Sequence, residues 1–289
     1  MGLVERTKKA VSGRWIAGDS LSDAIDITKK LNKRGITAVL SYMGADLTNR
    51  KAIDDATKSS ERAIKEISDN KLKAEISIRT TQLGLLENKA FVEAFYDLII
   101  TKAKRSNIFV WLDMEREEYV TDIINLYKRN IDSNVTGICL QSYLKRSMSD
   151  LEDLVSKGAA IRLVKGDYRG IQNDSEIAYT DNVQVTKNYL DMMEYLFSRS
   201  RKRFVIASHD PLIIERAIQL KQNTSIENVE FGMLIGMRNS YAVKLAERGL
   251  KVQMYVPYGK EWLGYGLTRL RLMHNTDMVV RSLLENQHI

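Results

Sequence analysis

The chain has 289 residues, of which 44% are hydrophobic and 28% charged, a composition that suits a folded core and disfavours disorder. Its net charge of +7 comes from 44 basic residues scattered among 37 acidic ones, so it argues only weakly for an anionic partner or membrane surface. One cysteine excludes an internal disulfide, and no apolar run reaches the ~20 residues that cross a bilayer. We expect a cytoplasmic protein, with peripheral membrane contact at most.

The first predicted element is an amphipathic helix in the stretch SLSDAIDITKKLNKRG, opened by a serine cap. After it, short β-branched runs of strand length recur, each bounded by polar or glycine residues. The eight runs cover residues 36–42, 73–79, 107–113, 134–141, 159–165, 203–208, 227–233 and 251–256.

Helical segments separate these runs. In LEDLVSKG and SYAVKLAERGL, for example, apolar residues return every three or four positions and a glycine closes the helix. Regular alternation of strand and helix predicts an α/β fold with a parallel sheet covered by helices. Eight such units favour a (β/α)8 TIM barrel over residues 35–289, with residues 1–34 as an N-terminal helical segment packed on it. An open doubly wound sheet is disfavoured, because no G-x-G-x-x-G follows the first strand.

Polar side chains stand where the predicted strands stop, and in a (β/α)8 barrel the carboxyl ends of the strands form the active-site face. Burying this many polar groups without a ligand would cost free energy. We therefore expect a polar, cation-rich pocket there. Arg162 and Lys165, three residues apart and followed by Gly166, suit an anion such as a phosphate. The other strand-end residues are Arg79, Asp113, Glu115, Arg116, Gln141, Asp167, Tyr168, Ser208, His209 and Asp210.

The stretch SHDP, Ser208 to Pro211, has two interpretations. His209 precedes a helix that starts near Pro211, and a helix N-terminus favours anions, so Ser208 and His209 would hold a pyrophosphate or a sugar hydroxyl. Alternatively, the stretch is only a capping turn, with Asp210 as the cap.

Other site classes have weaker support. A zinc site is disfavoured because the chain has three histidines and neither H-x-x-x-H nor C-x-x-C. Nucleic-acid binding would require a basic stripe interleaved with aromatics, which the sequence lacks. The single cysteine, Cys139, is expected to be a small buried apolar residue.

Seven ordered motifs run along nearly the whole chain: SIRTTQLGL, WLDME, LQSYLKR, RLVKGDY, ASHD, EFGMLIGM and YVPYGKEWLGYGLTRL. Together they resemble the motif series of the proline dehydrogenase family, in its monofunctional bacterial or archaeal form, and the likeness reaches back to AGDSLSDAIDITKKLNKRGI. Seven motifs in order are far more specific than any one alone. The resemblance implies an FAD-dependent barrel that takes a hydride from L-proline to flavin N5 and yields pyrroline-5-carboxylate, the first step of proline catabolism.

The resemblance also implies roles for individual residues. Arg162 would stabilise negative charge at the N5 edge of the reduced ring, and Asp113 would orient a neighbouring cation; these are the two expected catalytic positions. Gln141 would bond the polar edge of the ring, while Lys165 and His209 would face the ribityl and pyrophosphate portion. The full set of expected cofactor contacts is Asp113, Gln141, Arg162, Val164, Lys165, Gly166, Tyr168, Ser208 and His209.

The substrate positions implied by the resemblance are Arg79, Tyr255, Tyr265 and Arg269. The chain departs from the family pattern at three places. Thr268 stands where the first arginine of a pair is expected, Leu272 replaces its usual acidic partner, and Arg79 replaces a lysine. We hypothesise that Arg79 takes over part of the binding of the substrate carboxylate, since a guanidinium can pair with it in bidentate fashion.

These departures leave two alternatives open: a flavin enzyme for hydroxyproline or another cyclic or N-alkyl amino acid, or a flavin-binding barrel without catalysis. The resemblance further implies a quinone or other electron acceptor and loose contact with the inner face of the membrane. Because the residues after 256 are used by the closing helix, we expect a separate pyrroline-5-carboxylate dehydrogenase to consume the product.

Overall fold

A computed structural model of the chain describes residues 15–166, 175–224 and 226–261. All eight expected strands form, in a closed barrel in which each strand neighbours the next along the chain, and the recorded pairings are parallel. The predicted (β/α)8 architecture is therefore confirmed. The strands are β1 (Thr37–Tyr42), β2 (Ala74–Ile78), β3 (Val110–Leu112), β4 (Thr136–Gln141), β5 (Ile161–Val164), β6 (Phe204–Ala207), β7 (Val229–Leu234) and β8 (Val252–Tyr258).

Helices alternate with these strands. In the described part of the chain they are α1 (Leu21–Lys33), α2 (Arg50–Asp69), α3 (Lys89–Ser106), α4 (Glu117–Lys128), α5 (Ser147–Ser156), α6 (Asn182–Arg199), α7 (Pro211–Thr224) and α8 (Asn239–Glu247), with a short 3-10 helix at Thr80–Leu83. No helix among these residues is both long enough and apolar enough to span a bilayer.

Local signals set the ends of several helices as predicted. Ser20 caps α1: its hydroxyl accepts from the backbone N–H of Asp23 at 3.3 Å, and the Asp23 carboxylate accepts from the backbone N–H of Ser20 at 2.9 Å. This reciprocal arrangement satisfies two helix donors that would otherwise be unpaired. Gly158 and Gly249 follow α5 and α8 with φ of 77° and 80°, a conformation that favours glycine.

All eight strands differ from their predicted bounds by up to three residues at an end, and two of the differences have a clear structural cause. The third was predicted over 107–113 but begins at Val110, because Asn107, at φ 52°, and Ile108 complete the end of α3; the Ile108 N–H donates to the carbonyl of Ala103 at 3.0 Å. The eighth was predicted to end at 256 but runs to Tyr258, since Pro257, which cannot donate to a sheet, still pairs in register with Ser41.

The chain divides into two compact units. The first unit is Met1–Ile108 with Met233–Ile289, and the second is Phe109–Gly232. Each has its own apolar interior: fully buried side chains include Leu40 and Ile53 in the first unit, and Trp111 and Phe204 in the second. The predicted boundary between residues 1–34 and 35–289 stays a prediction.

Candidate active site

Strand register determines which side chains of the second unit share a face of the sheet. Cys139 pairs with Arg162, and Gln141 pairs with Val164. Because side chains alternate along a strand, all four lie on one face. Trp111 joins the same face, since it pairs with the residue two positions before Cys139. Five side chains from three neighbouring strands are thereby gathered, with Gln141 and Val164 at the carboxyl ends.

A buried ion pair joins two of the predicted residues. The Arg162 guanidinium donates from Nη2 to Oδ1 of Asp113, and the two residues are 5% and 8% exposed. The guanidinium carbon of Arg162 also lies 5.1 Å from the centre of the Trp111 ring. Burial raises the pKa of the Cys139 thiol beside this pair, so the thiol stays protonated. The predicted buried state of this cysteine is confirmed.

Gln141 carries a buried acceptor atom. Its Nε2 donates to the carbonyl of Met114 at 3.2 Å, and the Ser147 hydroxyl donates to its backbone carbonyl at 2.6 Å. Its Oε1 is buried and makes no hydrogen bond to the described residues. Since an unsatisfied buried acceptor costs about 1–3 kcal/mol, the atom is suited to a hydrogen-bond donor on a ligand.

Gly166 allows the backbone to pass close to Gln141. Its φ of 73° favours glycine, and a Cβ built there would lie 2.7 Å from both Gln141 Cβ and Tyr143 Cδ1. The Tyr143 N–H donates to the carbonyl of Lys165 at 2.9 Å, which ties the segment after β5 to the segment after β4. Only glycine fits at this position without a shift of its neighbours.

The Lys165 ammonium group is held by two side chains. It donates to Thr186 Oγ1 at 3.1 Å and lies 3.5 Å from Oδ2 of Asp210. The lysine side chain remains 37% exposed, so its charge is accessible to a ligand. The fold thus gives this cation a defined direction.

The stretch Ser208 to Pro211 does form the capping turn considered above. The Ser208 hydroxyl accepts from the N–H of Asp210 at 3.1 Å, and Asp210 Oδ1 accepts from the N–H of Leu212 at 3.0 Å, within the first turn of α7. His209 lies inside this turn and is partly buried. The turn accounts for the serine and the aspartate, whereas the ligand-binding role of His209 stays a prediction.

In the first unit, Arg79 directly follows β2 and Tyr255 lies in β8. Both strands pair with β1. The Tyr255 hydroxyl donates to Ser41 Oγ at 2.8 Å. The Arg79 N–H donates to Oε1 of Gln82 at 3.3 Å, which holds the backbone immediately after β2. Both Arg79 and Tyr255 are partly exposed, so each is available to a ligand.

Several predicted residues lie outside the described part of the chain: Asp167, Tyr168, Tyr265, Thr268, Arg269 and Leu272. Two residues near the predicted positions were missed by sequence reasoning. Trp111 stands two positions before Asp113, so strand alternation could have placed it on the same face as Asp113. Thr186, which contacts Lys165, lies in a helix and has no comparable signal.

Comparison with known proteins places the chain in a family. Residues 24–286 match the family model described as proline dehydrogenase. The chain is 29% identical over 266 residues to proline dehydrogenase 2 of Bacillus subtilis (strain 168), covering 91% of this chain and 86% of that protein. It is 28% identical over 285 residues to the proline dehydrogenase of Deinococcus radiodurans, covering 94% of this chain and 89% of that protein.

Solved structures of proline utilization A show the same fold. The protein from Bdellovibrio bacteriovorus, inactivated by N-propargylglycine, superposes with a TM-score of 0.85 at 19% identity and covers 99% of this chain. The protein from Corynebacterium freiburgense gives 0.76 at 20% identity over 97% of this chain. The present chain spans 35% and 32% of those two chains. With the family model matched over residues 24–286, the chain belongs to the proline dehydrogenase family.

Proposed function

We propose that this chain oxidises L-proline to pyrroline-5-carboxylate, the first step of proline catabolism, with FAD as the hydride acceptor. Membership of the proline dehydrogenase family supports proline as the substrate. The observation that carries the cofactor assignment is the arrangement in the second unit, where a buried cation and a buried free acceptor share one face. These groups are the Arg162 guanidinium and Gln141 Oε1.

The residues present fit a flavin ring. The ring has a polar edge with an N–H donor, and its N5 edge becomes electron-rich on reduction. Gln141 Oε1 is a buried acceptor for the N–H donor. Arg162 is a buried cation for the electron-rich N5 edge. Gly166 has no side chain, so the flavin ring can approach the backbone closely there.

The chemistry that a bound flavin supplies is acceptance, at N5, of the hydride that leaves the proline ring carbon next to nitrogen. Arg162 stabilises the negative charge that develops there, because a preorganised cation in a dry site needs no reorganisation during the reaction. Asp113 orients the guanidinium and compensates its charge while it is buried. In this proposal Asp113 removes no proton.

Residues in the segment after β5 and in the turn before α7 bind the remainder of the cofactor. Lys165, directed by Thr186, and His209 bind the ribityl and pyrophosphate portion, with Ser208 beside them. The N-terminal end of α7 adds positive helix-dipole potential near His209. Val164 and Tyr168 complete the proposed contacts.

Four residues are proposed to bind the amino acid. Arg79 and Arg269 bind the substrate carboxylate, and a bidentate guanidinium orients a small ligand better than an ammonium group. Tyr255 and Tyr265 shape the pocket. Positioning of this kind is the main contribution of a protein whose cofactor performs the electron chemistry.

An anaerobic titration tests the proposal. Purified protein is loaded with FAD, and its visible flavin absorption is followed as L-proline is added. Bleaching by L-proline supports proline oxidation. Bleaching only by hydroxyproline or another cyclic or N-alkyl amino acid would favour the alternative raised by Thr268, and a band that never bleaches would favour a flavin-binding barrel without catalysis.

We also propose a membrane quinone as the electron acceptor, reached by peripheral contact, and a separate pyrroline-5-carboxylate dehydrogenase for the product. Membrane contact follows from the resemblance to the family, and the net charge of +7 is compatible with an anionic surface without requiring one. Reoxidation of proline-reduced protein by a quinone in anionic vesicles, compared with neutral vesicles, tests it. Equal rates in both would contradict the electrostatic part of the proposal.

A further inference from the structure

The indole ring of Trp111 lies against the Arg162 guanidinium inside the second unit. The ring centre is 5.1 Å from the guanidinium carbon, and Trp111 is fully buried. Trp111 and Asp113 are two residues apart, so both side chains point to the same face. One short stretch of chain therefore provides both the carboxylate that pairs with Arg162 and the aromatic surface on which its guanidinium rests.

Gly137 provides the space for this ring. It is the register partner of Trp111, on β4. A Cβ built at Gly137 would lie 2.5 Å from Cζ3 and 2.8 Å from Cε3 of Trp111, closer than two carbon atoms can approach. Gly137 has ordinary strand conformation, so its requirement for glycine comes mainly from the indole ring, with Phe109 Cε1 next at 3.0 Å, and not from the backbone. The indole ring can therefore occupy its position only because residue 137 has no side chain.

A second cation contacts the same ring. The guanidinium carbon of Arg203 lies 5.5 Å from the centre of Trp111 and 4.3 Å from that of Phe109. Arg203 is itself paired with Glu230 at 2.9 Å. A shift of the indole would disturb this pair as well, because two arginines contact the same ring.

We propose that Trp111, seated against Gly137, is a positioning residue that holds Arg162 in place for its role at the flavin ring. The inference rests on the proposed function, which gives Arg162 that role. The cation–π contact is strongest with tryptophan and in a desolvated setting, and both conditions hold here. Removing the ring would leave a cavity beside the guanidinium, and a displacement of about 1 Å can slow a positioned reaction by about a hundredfold.

Four variants test the proposal in FAD-loaded protein. Trp111→Leu should lower the reduction potential of the bound flavin and slow its reduction by L-proline about tenfold or more, with little change in KM. Gly137→Ala should do the same, although it removes no group, because the added methyl displaces the indole. Trp111→Phe keeps an aromatic face and should retain most of the rate. The double variant Gly137→Ala, Trp111→Phe should recover part of what Gly137→Ala loses.

Phe204→Leu is the matched control. Phe204 is a fully buried aromatic of the same unit that packs on Phe197 with ring centres 5.1 Å apart. Its register partner is Ile161, so it points to the opposite face from Arg162. The control should lose stability while the flavin potential stays unchanged. Equal shifts in potential for Trp111→Leu and Phe204→Leu, or no shift in either, would overturn the proposal.

A measurement without flavin separates this inference from the proposed function. The free energy of unfolding of the apoprotein is measured for Trp111→Leu, Arg162→Met and the double variant. Non-additive effects indicate that the ring and the guanidinium are coupled, whereas additive effects would contradict the proposal. If L-proline fails to reduce the wild-type flavin, the proposed function fails and this cycle still decides the coupling. Should Trp111→Leu not fold, Gly137→Ala, which displaces the ring, replaces it in the cycle.

Discussion

Arg162 on β5 and Asp113 at the end of β3 form a buried ion pair that reaches across β4. Removing one member of a buried pair destabilises a protein much more than the net contribution of the pair, because the remaining charge loses its counterion in a dry environment. The same ion pair orients the cation proposed to act on the flavin. Stability and catalysis are thus expected to depend on one carboxylate.

Asp113→Asn should lower the free energy of unfolding by about 3–5 kcal/mol and slow flavin reduction by L-proline. Denaturant titration of the apoprotein measures the first effect, and anaerobic stopped-flow measures the second. Asp191→Asn is the control, since Asp191 pairs with Lys187 at 2.9 Å on an exposed surface. The control should cost at most about 1 kcal/mol. An equally small loss for Asp113→Asn would contradict the role given to the buried pair.

Gly166→Ala should weaken FAD binding and destabilise the protein, because the added methyl meets Gln141 and Tyr143 at 2.7 Å. Gly158→Ala separates this contact from backbone strain. Gly158 has a similar φ, 77°, but its Cβ would meet only Lys202 Cε, at 4.0 Å. The control should lose about 1–3 kcal/mol from strain alone, with FAD affinity unchanged. Isothermal titration compares the FAD affinities of the Gly166→Ala and Gly158→Ala variants. Equal affinities in the two would count against a cofactor role for Gly166.

Lys165→Met should weaken FAD binding about tenfold, since it removes a cation proposed to face the pyrophosphate. The loss should shrink as the salt concentration rises, because salt screens a partly exposed charge. Lys187→Met, which removes an exposed lysine paired with Asp191 on the same helix as Thr186, should leave FAD affinity unchanged. If the Lys165 variant and wild type bound FAD with the same affinity at every salt concentration, the proposed contact between Lys165 and the pyrophosphate would be ruled out.

Arg79→Lys and Arg269→Ala should each raise KM for L-proline, by about tenfold for a lost bidentate contact worth ~1.4 kcal/mol. The rate of flavin reduction at saturating substrate should fall less. Steady-state kinetics with a fixed acceptor measures both parameters. Arg50→Lys, an exposed arginine paired with Asp54, is the control. An unchanged KM in both variants would end the assignment of these arginines to the substrate.

Stability should decline in alkali through buried tyrosines. Burial raises the pKa of Tyr258 from 10.0 to about 12. The folded protein therefore keeps a proton that the unfolded chain loses, so this contribution is complete below pH 10 and is lost as pH rises toward about 12. Tyr258→Phe should reduce the fall in unfolding free energy across this range by about 2–3 kcal/mol. Denaturant titrations at several pH values measure the slope, and an unchanged slope would contradict the prediction.

The effect of Tyr258→Phe on stability at lower pH is the baseline for its effect in alkali. Tyr258→Phe also removes the hydrogen bond between the tyrosine hydroxyl and Ser59, 3.0 Å apart, which should cost about 1 kcal/mol at all lower pH values. Only the slope above pH 10 isolates the ionisation of Tyr258. Tyr127, whose pKa burial also raises to about 12, remains in the variant and accounts for part of the residual slope.

The number, order and approximate bounds of the eight strands could be predicted from the amino-acid sequence, because strand and helix periodicities and caps such as Ser20 are local properties of the chain. It also indicated which residues stand at strand ends, among them Asp113, Gln141 and Arg162. Two of the missed bounds, at Val110 and Tyr258, depended on a helix cap and on a neighbouring strand, which local patterns do not report.

The contacts between strand-end groups became visible only in the folded chain. Asp113 and Arg162 are 49 residues apart in the chain, and their ion pair depends on the register of the strands between them. The match of Gly137 to the Trp111 ring and the free acceptor on Gln141 likewise arise from packing between strands. Such contacts are non-local, so periodicity predicts the faces on which residues lie but not their partners.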